Sequence, residues 1–131
     1  MLASREQKTI EKPLVVVVDD DESVRESLPD LLKEFGFEVL TFSSSEEFLA
    51  SGSVGRTNCL LLDIAMPGMS GVDLQKELKN RGHKIPIIFI TAQKAESVRK
   101  RVLEQGAVEI LLKPFSDTDL REALSQAIGG R

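Results

Sequence analysis

The chain has 131 residues, the length of one ordinary domain that buries enough surface to stand without staples. A hydrophobic fraction of 41% with 29% charged residues excludes a disordered, collagen-like or membrane-spanning chain. A net charge of −4, with neither Trp nor Tyr for base stacking, argues against a domain that itself grips nucleic acid.

Residues 1–12 are polar and mixed in charge, with no apolar stretch like that of a signal peptide. They are expected to form a flexible N-terminal extension to a single domain over residues 13–131. No run approaches the roughly 20 apolar residues that cross a bilayer, so no membrane partner and a cytoplasmic location are expected. The lone Cys59 agrees with a reducing compartment. Five short aliphatic runs then read as strands: Leu14–Val18, Glu38–Phe42, Cys59–Leu62, Ile87–Ile90 and Ile110–Leu112. Their Val, Ile and Leu richness with little polar alternation suits a parallel sheet covered on both faces.

Between the strands the period changes to about 3.6 residues. Val24, Leu28, Leu31, Leu32 and Phe35 form one stripe, which Pro29 interrupts chemically but not in register. Leu120, Ala123, Leu124, Ala127 and Ile128 form another. Ser44 with Glu47, Ser70 with Asp73 and Ser116 with Asp119 have capping-box spacing, and Gly36, Gly82 and Gly106 follow helix ends. Five β–α units with right-handed crossovers make a doubly wound α/β sandwich. At this length the flavodoxin-like strand order 2-1-3-4-5 is the economical one, with a crevice at the carboxyl ends of strands 1 and 3.

The residues at those ends carry the chemistry. Asp19, Asp20 and Asp21 follow the first strand, Asp63 the third, Thr91 the fourth, and Lys113 with Pro114 the fifth. The second strand ends in the uncharged Ser43–Ser45, which fits an edge strand away from the crevice. Carboxylates so gathered repel one another unless a cation intervenes, and an all-oxygen set without His or Cys selects a hard ion, Mg²⁺. A gap lined by a divalent ion, an ammonium and a hydroxyl receives a tetrahedral dianion such as a phosphoryl group. Asp63 is then a metal ligand, a nucleophile, or both. Pro67 and Gly68 occupy the places a type II turn requires, folding the chain over the acids and turning the Ala65 carbonyl toward the metal.

Together these pieces resemble the receiver (CheY-like) domain of bacterial two-component response regulators, and most closely those of the FixJ/LuxR-type output subfamily. The residues that carry the resemblance are Val-Val-Asp-Asp-Asp at 17–21, Leu-Leu-Leu-Asp-Ile-Ala-Met-Pro-Gly-Met-Ser-Gly at 60–71, Ile-Thr-Ala at 90–92 and Lys-Pro-Phe at 113–115. The resemblance implies that Asp63 is the phosphoacceptor for a sensor histidine kinase, with Mg²⁺ held by Asp20, Asp63, the main-chain oxygen of Ala65 and, through water, Asp19. It implies that Lys113 and Thr91 receive the phosphoryl oxygens, that the Lys113–Pro114 bond is cis, and that the face of the fourth helix, fifth strand and fifth helix changes on phosphorylation and pairs two copies. Ile110 stands where the family often has an aromatic switch partner of the threonine, and Ala65 where it often has a polar residue; Gln93 remains to orient a water. Self-phosphorylation and autodephosphorylation are the only catalysis implied. Gly129-Gly130 reads either as a terminus of a stand-alone regulator or as the start of a linker to an output domain, with the second slightly favoured.

A different class is a haloacid-dehalogenase-like phosphohydrolase with Asp19 and Asp21 as an Asp-x-Asp pair, which leaves Asp63 without a role. A nucleotide or flavin binder is a third, but no Gly-x-Gly-x-x-Gly or Walker loop is present and the Asp run would repel a phosphate.

Overall fold

The computed structural model describes residues 12–92, 94 and 96–128. Strands β1 (Leu14–Val18), β2 (Glu38–Phe42), β3 (Cys59–Asp63), β4 (Ile87–Thr91) and β5 (Glu109–Leu112) form one parallel sheet in the order β2-β1-β3-β4-β5. The helices between and after them are α1 (Glu22–Glu34), α2 (Ser45–Ala50), α3 (Gly71–Asn80), α4 (Glu96–Glu104) and α5 (Asp117–Ala127), and a short 3₁₀ turn covers Val54–Arg56. This is the CheY-like doubly wound (βα)₅ arrangement.

The pleat explains the two cores. Alternate residues of a strand point to opposite faces, so every position of β1, β3 and β4 must be buried. Val16, Val18, Leu60, Leu62 and Phe89 face Phe48 of α2, Leu74 and Leu78 of α3 and Val102 of α4. Val15, Val17, Leu61, Ile88 and Ile90 face Leu28 and Leu32 of α1 and Leu120 and Leu124 of α5. Each such side chain contributes about 1.5–3 kcal/mol on burial. The edge strand β2 is less covered, as its place requires.

The helix starts are set by side chains. Ser44, Ser70 and Ser116 each accept a hydrogen bond from the N–H three residues on, at 3.0, 3.1 and 3.0 Å. Helix α1 begins on Asp21, which accepts from the N–H of Ser23 at 3.0 Å. It then runs unbroken through Pro29, because Leu28 and Leu32 lie buried on either side and hold the stripe in register.

Three boundaries differ from the sequence-based ranges. Strands β3 and β4 each extend one residue, since Asp63 still pairs opposite Ile90 and Thr91 opposite Leu112, and β5 starts at Glu109. Asp63 and Thr91 are therefore the last residues of their strands, where the ladder fixes their backbone, and not the first residues of loops. Among the described residues no helix is long and apolar enough to cross a membrane. The expected N-terminal extension lies outside the described residues except for Lys12, as do Gln93 and Gly129–Arg131.

Candidate functional site

Parallel strands with right-handed crossovers place all their carboxyl ends on one edge, and the order reversal between β1 and β3 opens a crevice there. Asp19 follows β1 directly and is completely buried. Its two carboxylate oxygens are both engaged: Oδ1 accepts from the N–H of Asp21 at 2.9 Å, and Oδ2 from the Lys113 ammonium at 2.8 Å. The Arg25 guanidinium, one turn into α1, donates to the Asp19 carbonyl at 2.8 Å. A buried carboxylate with this set of donors is compensated, which is what makes its burial tolerable.

Asp63 is not compensated to the same degree. It closes β3 at 7% exposure, and burial with the neighbouring charge of Asp19 pushes its carboxyl up to about 7, against the opposing pull of Lys113. Burial alone would lower the Lys113 ammonium; the hydrogen bond and charge of Asp19, then the charges of Asp63 and Asp21, outweigh it and carry its pKa upward. Asp20 is exposed at the mouth. Asp19, Asp20 and Asp63 each bring a carboxylate oxygen within 4.8 Å of the others.

This donor set fits a hard divalent cation. It is all oxygen, one acid is open to solvent, and the burial and the Asp19 charge that push the Asp63 carboxyl upward are what such an ion would offset. The described residues thus contain an acidic cluster that can bind a metal.

The loop after Asp63 is built as the turn residues require. Gly68 has φ +75°, the left-handed value that the third position of a type II turn needs. Gly71, the first residue of α3, donates its N–H to the Ile64 carbonyl at 2.9 Å, and a Cβ there would run into the Asp63 carbonyl. Sequence reasoning missed Gly71, because a close backbone approach leaves no signal besides the glycine itself. It also missed Arg25 and Glu46; Glu46 accepts from the N–H of Met69 at 2.9 Å across the chain.

Thr91 is buried at the end of β4, and Lys113 follows β5 with a cis bond to Pro114. Thr91 and Ile110 line the same cavity of about 360 Å³, with Ile64, Ala65, Val98 and Leu112. Leu112 is the large hydrophobic that stands exposed among the described residues. His83 lies in the turn before β4, on the opposite edge of the sheet from the crevice.

Asp21 does not join the acids. Its side chain turns back to cap α1, accepting from the N–H of Ser23 at 3.0 Å and from its hydroxyl at 2.7 Å. The Asp19/Asp21 pair of a phosphohydrolase is therefore not assembled, and Asp63, which that reading leaves idle, is in the cluster instead.

Comparison with known proteins decides the family. The model of the response regulator receiver domain matches residues 15–125, nearly the whole described fold. The chain belongs to this family. It is a receiver domain, a phosphoacceptor signalling switch. It is similar to nodulation protein W of Bradyrhizobium diazoefficiens, at 44% identity over 116 residues, 88% of this chain and 51% of that protein. Among solved structures it resembles the response regulator StyR, with TM-score 0.83 and 46% identity over 90% of this chain and 60% of that one. The structure of FixJ-N gives TM-score 0.82 and 38% identity over 91% of this chain and 95% of that one. The receiver chain spans about half the length of the curated relatives it matches. The haloacid-dehalogenase-like alternative finds no support in these likenesses.

Proposed function

We propose that the receiver domain takes a phosphoryl group onto Asp63 from the phosphohistidine of a sensor histidine kinase in a Mg²⁺-dependent reaction. The observation that carries this is the meeting of Asp63 with Asp19 and Asp20 inside 4.8 Å, beside an ammonium held at 2.8 Å from Asp19. Asp20, Asp63 and the Ala65 carbonyl would hold the ion, and Asp19, both of whose oxygens already accept hydrogen bonds, would act on it largely through water. When bound, Mg²⁺ supplies positive charge to the acids and to the phosphoryl oxygens.

An Asp63 oxygen attacks phosphorus, the phosphorus–nitrogen bond breaks, and the departing imidazole nitrogen keeps the electron pair. The product is an acyl phosphate. Lys113 turns from Asp19 to a phosphoryl oxygen, and the Thr91 hydroxyl donates to another. Because Thr91 shares a cavity with Ile110, Val98 and Leu112, its movement repacks the face of α4, β5 and α5. Aliphatic repacking around Ile110 replaces an aromatic rotamer change. The exposed Leu112 on that face then meets a second copy, forming a homodimer.

No outside substrate is turned over; hydrolysis of the acyl phosphate resets the switch. The domain spans residues 13–131 and works in the cytoplasm. The matched region covers 54% and 55% of two relatives named transcriptional regulatory protein FixJ, and a transcriptional output of that kind is the readout this receiver would control. The test is incubation with acetyl phosphate and intact-mass measurement. One phosphoryl group should appear with Mg²⁺ and none in EDTA or in Asp63→Asn; repeated turnover through Asp19 would overturn the reading.

A further inference from the structure

The sequence places the exit of β2 away from the crevice, yet in the structure that exit reaches the crevice's loop through Glu46. Glu46 stands in the first turn of α2. Its Oε2 accepts from the Met69 N–H at 2.9 Å, a bond spanning 23 residues. Gly68 makes room for it: a Cβ at this position would stand 2.6 Å from the same oxygen. The base of the loop is tied separately, by the Gly71 N–H on the Ile64 carbonyl at 2.9 Å, and Met66 is buried in the core under α2, α3 and α4. Ala65 lies between the Ile64 tie and the buried Met66, and the Glu46 bond fixes the far side of the same turn.

We infer that Glu46 is a positioning residue of the acceptor site, whose carboxylate holds the 66–69 turn so that the Ala65 carbonyl stays available to Mg²⁺. This rests on the metal reading of the site given above. A charge-assisted bond to a backbone N–H is among the stronger tethers for an exposed loop. Groups that hold a metal ligand in place without touching the ion typically change affinity by roughly 10- to 100-fold when removed.

The test is a Mg²⁺ titration followed by backbone amide NMR on the wild type, Glu46→Ala, Glu46→Gln and Gly68→Ala. In Glu46→Ala the Met69 amide should exchange faster with solvent and the Mg²⁺ Kd should rise roughly tenfold. Glu46→Gln keeps an acceptor oxygen at the same reach and should retain most of the affinity. Gly68→Ala crowds the carboxylate and also strains the turn at φ +75°, so its loss should be at least that of Glu46→Ala. Glu46 is exposed, so the amide spectrum away from the loop should not change. Unaltered Mg²⁺ affinity in Glu46→Ala, or an equal loss in Glu46→Gln, overturns the inference while leaving the metal site standing. A wild type that binds no Mg²⁺ overturns both.

Discussion

Lys113 and Asp19 lie 94 residues apart in the chain and meet at 2.8 Å, with the aspartate completely buried. This pair closes the crevice across the sheet, joining the end of β5 to the end of β1. It also keeps the ammonium beside Asp63, whose charge it opposes. Removing one partner of a buried pair leaves the other charge uncompensated, at about 3–5 kcal/mol. The Lys113 side chain retains 19% exposure, so the lower end applies. Lys113→Ala should lose about 3 kcal/mol in urea denaturation without metal, and Mg²⁺ should restore part of it. A variant as stable as the wild type in EDTA would show that the pair does not compensate Asp19.

Asp63 makes the metal-free protein sensitive to pH. Its folded-state carboxyl is raised to about 7 from 3.8. Its contribution to stability is thus present below the unfolded value and lost as pH rises through about 7. The upper bound is ~4 kcal/mol, from about 1.4 kcal/mol per tenfold change in proton affinity. Asp63→Asn has no such loss, so in EDTA it should overtake the wild type in denaturant midpoint between pH 5 and pH 8. Parallel pH profiles for the two proteins would contradict the assigned cause.

Gly71→Ala should be costly although it lies at a helix start where alanine is usually welcome. The added methyl meets the Asp63 carbonyl, and overpacking of this kind costs about 1–3 kcal/mol. Urea denaturation checks the stability, and the Mg²⁺ titration should show weaker binding as well, since β3 must shift at Asp63.

Thr91→Ala should separate chemistry from signal. Asp63 should still gain a phosphoryl group, but the amide shifts it causes across α4, β5 and α5 should largely vanish. Full-size shifts in the variant would place the coupling elsewhere.

Much of this was legible because each signal had a local cause. Val and Ile runs buried on both faces, serines three residues ahead of an acid and the turn pair Pro67-Gly68 all act within a few positions. The strand order followed from handedness, and the order alone located Asp19, Asp20, Asp63, Thr91 and Lys113 on one edge. What the sequence hid were contacts made at a distance by ordinary residue types. Glu46 reads as a first-turn helix acid, Arg25 as a surface cation and Gly71 as a helix start; only the folded chain shows them against Met69, the Asp19 carbonyl and the Asp63 carbonyl. Asp21 is the converse case: its place just ahead of the first helical stripe marks it as a helix-start acid, and its side chain does cap α1 through Ser23.

The most direct measurement locates the phosphoryl group. After incubation with Mg²⁺ and acetyl phosphate, borohydride reduces an aspartyl phosphate to homoserine, and peptide mapping reads the modified position. Homoserine at residue 63 and nowhere else is the expected result. Modification at Asp19 or Asp20, or an unmodified residue 63 in a chain that binds Mg²⁺, would contradict the assignment.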